Sequence, residues 1–143
     1  MKKLLIAAAV IAAFLQACSD GFKTSDDGLQ YQIHTENEGE RIKEGDFVSL
    51  QMVYRTDSDS VLFDTYKMGQ AIKLMVSKPT FKGDLMSGLM LLTEGDSASF
   101  LINADSLFEK TFQFPRPEFI RAGSYLTFNV KVEKVQTKEQ MEE

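Results

Sequence analysis

An α+β domain, an antiparallel sheet with one short helix, is the fold class that this sequence predicts. Two observations carry it. Apolar residues recur at every second position in several separated stretches, the spacing that places them on one face of a strand. The period changes once, over residues 85–92, to helical spacing. Polar residues fill the alternate strand positions, as in sheets with one face on a core and one in water, which antiparallel pairing permits.

The elements follow in order. Leu29, Tyr31 and Ile33 alternate with Gln30, Gln32 and His34 and give a first strand. Residues 37–45 are charged and turn-like. Val48, Leu50, Met52 and Tyr54 share one face of a second strand, which the turn chemistry of residues 56–60 ends. Residues 61–64 resume an extended path, and residues 72–76 form another short strand before Pro79. Leu85, Leu89 and Leu92 mark the helix, with Asp84 placed as its N-cap and Gly95 as its stop. Period two returns at Ala98, Phe100 and Ile102, and again at Leu126, Phe128, Val130 and Val132. Residues 137–143 read as a charged, frayed tail.

The 143 residues suffice for one compact domain. A net charge of −5 argues against nucleic acid as a partner, since basic patches supply most of that affinity. One histidine and one cysteine leave no set for a Ser-His-Asp or Cys-His site, no metal-ligand spacing surrounds His34, and no Gly-rich phosphate loop occurs. No metal and no cofactor are therefore expected.

The single cysteine, Cys18, follows Lys2 and Lys3, a nearly unbroken apolar run over residues 4–15, and then Gln16 and Ala17. A basic start, a short apolar stretch and a small residue describe a secretory signal, too short for a spanning helix. Leu15-Gln16-Ala17-Cys18 resembles the lipobox of bacterial lipoproteins, in which the cysteine becomes the acylated N-terminus. Residues 1–17 are thus expected to be a signal peptide and Cys18 the lipidation site. Residues 18–27 are read as lipidated cysteine and polar tether, 28–136 as the folded domain, and 137–143 as the tail. The expected location is the bacterial cell envelope, with the membrane as a partner through the lipid anchor and a monomer as the simplest state.

Read in order, six segments resemble FKBP-type peptidyl-prolyl cis-trans isomerases. They are Gly28-Leu29-Gln30-Tyr31; Gly45-Asp46-Phe47-Val48 followed by Tyr54; Phe63-Asp64; Gly88-Leu89 with Leu92 and Glu94-Gly95-Asp96; Ala104-Asp105-Ser106-Leu107-Phe108; and Leu126-Thr127-Phe128-Asn129-Val130. The resemblance implies an FKBP-like antiparallel half-barrel sheet wrapped around one short helix, and an apolar basin between them in which prolyl bonds rotate. It assigns Tyr54, Phe63, Asp64, Phe108 and Phe128 to catalysis. Asp64 would be the polar handle, and Phe81, Leu85 and Phe119 are added as substrate-binding positions. The implied partners are proline-containing polypeptides.

The sequence departs from the family pattern in three ways. There is no tryptophan to open the helix at the pocket floor, so Leu85 or a neighbour takes that place. Phe108 replaces a tyrosine whose hydroxyl would bond a bound carbonyl, and Glu109 replaces the glycine after it. The following stretch is unusually aromatic, with Phe112, Phe114, Pro115, Pro117, Phe119 and Ile120. It either covers the pocket, presents an apolar surface, or folds back into the core. A non-catalytic peptide-binding or chaperone module is the competing reading.

Overall fold

Nine consecutive residues of alternating burial make the long strand β3 (Phe47–Arg55), and twelve make β7 (Tyr125–Gln136). The two pair antiparallel from Phe47 opposite Gln136 to Arg55 opposite Thr127, with a bulge between Ser49 and Leu50 that bends the pair. This is a computed structural model, and it describes residues 21–142. The expected signal segment 1–17 and Cys18 lie outside the described residues. Among the described residues, no helix is long and apolar enough to cross a membrane.

Around that central pair stand β1 (Lys23–Thr24), β2 (Gln30–Thr35), β4 (Val61–Asp64), β5 (Ile72–Met75) and β6 (Ser97–Asn103), in the order β1-β2-β6-β7-β3-β4. Both β4 and β5 pair with the same side of β3, β4 along its second half and β5 along its first. The sheet is an open antiparallel one, and the α+β class is as expected. Between β4 and β5 the ladder on β3 is interrupted. There the Met52 N–H donates to Thr65 Oγ1 at 2.8 Å, and the Thr65 hydroxyl donates to Gln51 Oε1 at 2.7 Å. A buried threonine thus fills a missing strand position.

Helices are short. After α1 (Thr65–Met68) come α2 (Leu85–Leu89), α3 (Ala104–Ser106), a π-helical turn (Leu107–Phe112) and α4 (Lys138–Glu142). Helix α2 is the expected one, and it lies against the sheet where Gly88 meets Phe100. A Cβ on Gly88 would stand 2.8 Å from the Phe100 ring, so only glycine permits this approach. Leu89, Leu92, Phe100, Ile102, Leu126 and Val132 are all fully buried around that contact.

Several boundaries differ from the sequence reading. Helix α2 ends at Leu89, and the apolar spacing persists because Leu91 and Leu92 continue in tighter turns, their N–H groups donating to Gly88 and Leu89. Gly95, at φ +90°, serves the turn that follows instead of stopping the helix. The stretch read as tether contains β1, whose Lys23 and Thr24 pair with Tyr31 and Gln30 around a turn tied by Ser25. The expected frayed tail contains α4, where the Gln140 N–H donates to Thr137 Oγ1 at 3.1 Å. Helix α1, four residues long, has no counterpart in the sequence pattern.

Candidate functional site

Strand register brings five aromatic residues into one row. Phe63 on β4 faces Tyr54 on β3, Tyr54 faces Phe128 on β7, Phe128 faces Phe100 on β6, and Phe100 faces Tyr31 on β2. Directly opposed residues share a sheet face, so the row crosses five strands on the core side. Tyr54 stacks on both neighbours, with ring centroids 4.4 Å from Phe128 and 5.4 Å from Phe63. Phe100 and Phe128 are buried, whereas Tyr54 and Phe63 are only half-buried. The row therefore rises out of the core at its β4 end.

A cavity of about 450 Å³ opens over that end. Tyr54, Phe63 and Phe128 form its aromatic side, joined by Met52, Ile72 and Leu74 from the sheet. Leu85 and Met86, at the start of α2, line the opposite side. Leu107, Thr111 and Phe112 of the π-helical turn form a third wall, and Lys73, Ser77, Thr80 and Asp84 complete the lining. The lining is mostly apolar, and burial pushes the Tyr54 hydroxyl above the ordinary tyrosine range. The one hydroxyl–carboxylate contact in the lining, Thr80 to Asp84, serves to hold the loop before α2, so the arrangement suits binding and desolvation of an apolar group.

Asp84 is buried, at 2 % exposure, and its carboxylate is satisfied by four donors. Oδ1 accepts from the N–H and hydroxyl of Ser87, at 3.0 and 3.2 Å, which caps α2 as the sequence indicated. Oδ2 accepts from the N–H and hydroxyl of Thr80, at 2.9 and 3.2 Å. Such a carboxylate sets the position of the loop before α2.

Other expected site residues stand elsewhere. Asp64 pairs opposite Val53, one step along from Phe63, and caps α1: its Oδ1 accepts from the N–H groups of Tyr66 and Lys67 at 2.9 and 3.3 Å. It does not line the cavity. Phe108 is buried and meets Phe112 edge-on, with centroids 5.3 Å apart, so it backs the wall and borders a separate hollow beyond it. Phe81 packs half-buried against the core, away from the lining. Phe119 is 64 % exposed and also lies off the cavity.

The aromatic stretch after Phe108 divides among all three of its expected roles. Phe112 lines the cavity, Phe114 and Phe119 face solvent, and Ile120 is in the core. Polar links hold this segment. The Arg116 guanidinium donates to Asp105 Oδ1 at 2.8 Å and to the Ile120 carbonyl, while the Gly123 N–H donates to Asp105 Oδ2 at 2.6 Å. Arg121 pairs with Asp57 in the turn after β3. The residues that sequence reasoning missed are chiefly Thr80, Thr111 and Phe112. Only Phe112 carried a signal, its place in the aromatic run.

No family model matches the chain. It is 30% identical over 125 residues to a probable FKBP-type peptidyl-prolyl cis-trans isomerase, FkpA, of Neisseria meningitidis serogroup B. That match takes in 86% of this chain and 44% of the relative, so the chain spans less than half the length of the curated protein it matches. The crystal structure of FkpA from Escherichia coli superposes with a TM-score of 0.67 at 22% identity, covering 92% of this chain and 59% of that one. A peptidyl-prolyl cis-trans isomerase from Pseudomonas syringae pv. tomato superposes with a TM-score of 0.64 at 15% identity, covering 96% and 97%. The resemblance to FKBP-type proteins read from the sequence is borne out, and so is the fold it implied.

Proposed function

We propose that this FKBP-type domain is a peptidyl-prolyl cis-trans isomerase, acting on proline-containing polypeptides in the cavity over Tyr54, Phe63 and Phe128. The single observation that carries the reading is an apolar cavity floored by stacked aromatics in a domain of this fold. Rotation about a prolyl bond faces a barrier of about 18–20 kcal/mol from amide resonance. The twisted amide has lost much of that resonance and is less dipolar than the planar one. A site that removes water and fits the twisted form favours it over the ground state. The proline ring would lie on Tyr54 and Phe63, with Phe128 behind and Leu85 and Phe112 at the sides. Asp64 would act as a positioning residue, holding α1 and with it Phe63.

Two experiments test this. Acceleration of cis-trans exchange in a Leu-Pro tetrapeptide, lost in Phe63→Ala while the protein stays folded, supports the cavity assignment. No acceleration by the intact protein overturns it. Phe108 in place of a tyrosine and the exposed Phe114 and Phe119 favour one second reading, a peptide-binding module on the same fold. Binding of a proline peptide without turnover would select it.

The lipobox-like segment before Cys18 supports placing the domain on a membrane of the bacterial cell envelope, where its substrates would be proteins folding outside the cytoplasm. Incorporation of labelled palmitate that Cys18→Ser abolishes is the expected result. Incorporation that survives the substitution overturns it.

A further inference from the structure

The cavity's three walls come from separate parts of the chain, and one short chain of hydroxyls joins two of them, the π-helical turn and the start of α2. Thr80 Oγ1 and Thr111 Oγ1 stand 2.6 Å apart across 31 residues of sequence. The direction of that bond follows from proton counting. Thr80 has one hydroxyl proton, which it donates to Asp84 Oδ2. With its proton directed at Asp84, Thr80 accepts from Thr111. The order is Thr111 to Thr80 to Asp84, and Asp84 in turn caps α2. All three side chains line the cavity.

The segment held at the far end has a backbone that gains from holding. Leu107–Phe112 is a π-helical turn, an uncommon form often found at functional sites. It ends at Gln113, a non-glycine residue in the left-handed region at φ +52°. Its closure rests on the N–H groups of Gln113 and Phe114, both donating to the Phe108 carbonyl. Phe112, 43 % exposed, is the cavity wall it carries.

We propose that Thr111 is a positioning residue: through Thr80 and the buried Asp84 it latches the π-helical turn, and so Phe112, against the wall formed by α2. The inference rests on the isomerase reading of the cavity. A latched wall is ready to bind, while an unlatched one is competent only part of the time, and apparent affinity falls by that fraction. Closure is then driven by substrate, equally in the ground and transition states, so KM rises and kcat stays.

Thr111→Val keeps the shape of the side chain and removes the donor, and Thr111→Ser keeps the donor. Loss of one neutral hydrogen bond of this kind is expected to raise KM for the Leu-Pro peptide about threefold, with kcat unchanged. The amides of Gln113 and Phe114 are expected to exchange with solvent faster in Thr111→Val, by a similar factor, and at the native rate in Thr111→Ser. Unchanged exchange at those two amides in a folded Thr111→Val protein overturns the latch, whatever KM does. If the native protein turns over no prolyl peptide, the isomerase reading falls while the exchange comparison still decides the latch.

Discussion

The floor of the cavity and its flap are built by different physics. The floor is a row of rings fixed by strand register: once β3 pairs with β4 and β7, Tyr54 has nowhere to be except between Phe63 and Phe128. The flap, residues 107–124, has no ladder. Its path is set by Leu107, Phe108 and Ile120, which are buried in the core, and otherwise by single polar contacts, Thr111 to Thr80, Arg116 to Asp105 and Arg121 to Asp57. Burial through register makes a surface that gives little, while isolated polar links leave one that can be released locally. Under the proposed isomerase function, shape selection for a twisted amide would belong to the first, and admission of a chain to the second.

Substitutions separate the two. Phe128→Ala removes a buried ring from the floor and is expected to cost about 3–5 kcal/mol in denaturant unfolding. A loss under 1 kcal/mol would mean the row is not the core it is taken for. Gly88→Ala forces a methyl group against Phe100, and overpacking of this kind costs about 1–3 kcal/mol, read in the same assay. In the flap, Arg116→Ala leaves Asp105 and the Ile120 carbonyl without that donor. The expected loss is about 1 kcal/mol of stability, together with a larger change in KM than in kcat.

Asp64→Asn is smaller still. Its amide oxygen can still cap α1, so turnover is expected within about twofold of native, whereas Asp64→Ala, without a cap, falls further. Loss of turnover in the Asn variant would show that the charge itself acts in the cavity. The smallest effect is in pH. Burial raises the folded Tyr54 pKa, so above pH 10 the unfolded chain ionises first. The stability it contributes is present below that pH and lost as pH rises through the folded value. Tyr54→Phe is expected to flatten the stability profile above pH 10 and to leave it unchanged at neutrality.

Much of the floor was legible in the sequence, and little of the flap. Period-two alternation puts Tyr54 and Phe128 on the inward face, the family resemblance adds Phe63, and Asp84 before an apolar helical run announces a cap. Alternation does not say which residue of a distant strand lies opposite, so the five-ring row emerged only with the register. Helix α1 is four residues long, below what periodicity detects. Asp64 enters the pocket set through the family resemblance, whereas the strand sends it to the face opposite Phe63, where it caps α1. Thr80 and Thr111 carry no sequence signal, since a hydroxyl pair across 31 residues depends wholly on how two loops meet.

The position of β7 in the sheet has a consequence for how the chain acquires its structure. It is the last long strand in sequence, yet it lies between β6 and β3 at the centre of the sheet. Until it is present, β3 and β6 have no common partner, and Tyr54 and Phe100 have no ring between them. A chain delivered from its N-terminus therefore holds two half-sheets with open edges until β7 arrives. Pairings so remote in sequence form late and slowly, because the intervening loop must close before any contact rewards it. Completion of the sheet therefore waits on the β3–β7 ladder, whose strands lie far apart in sequence.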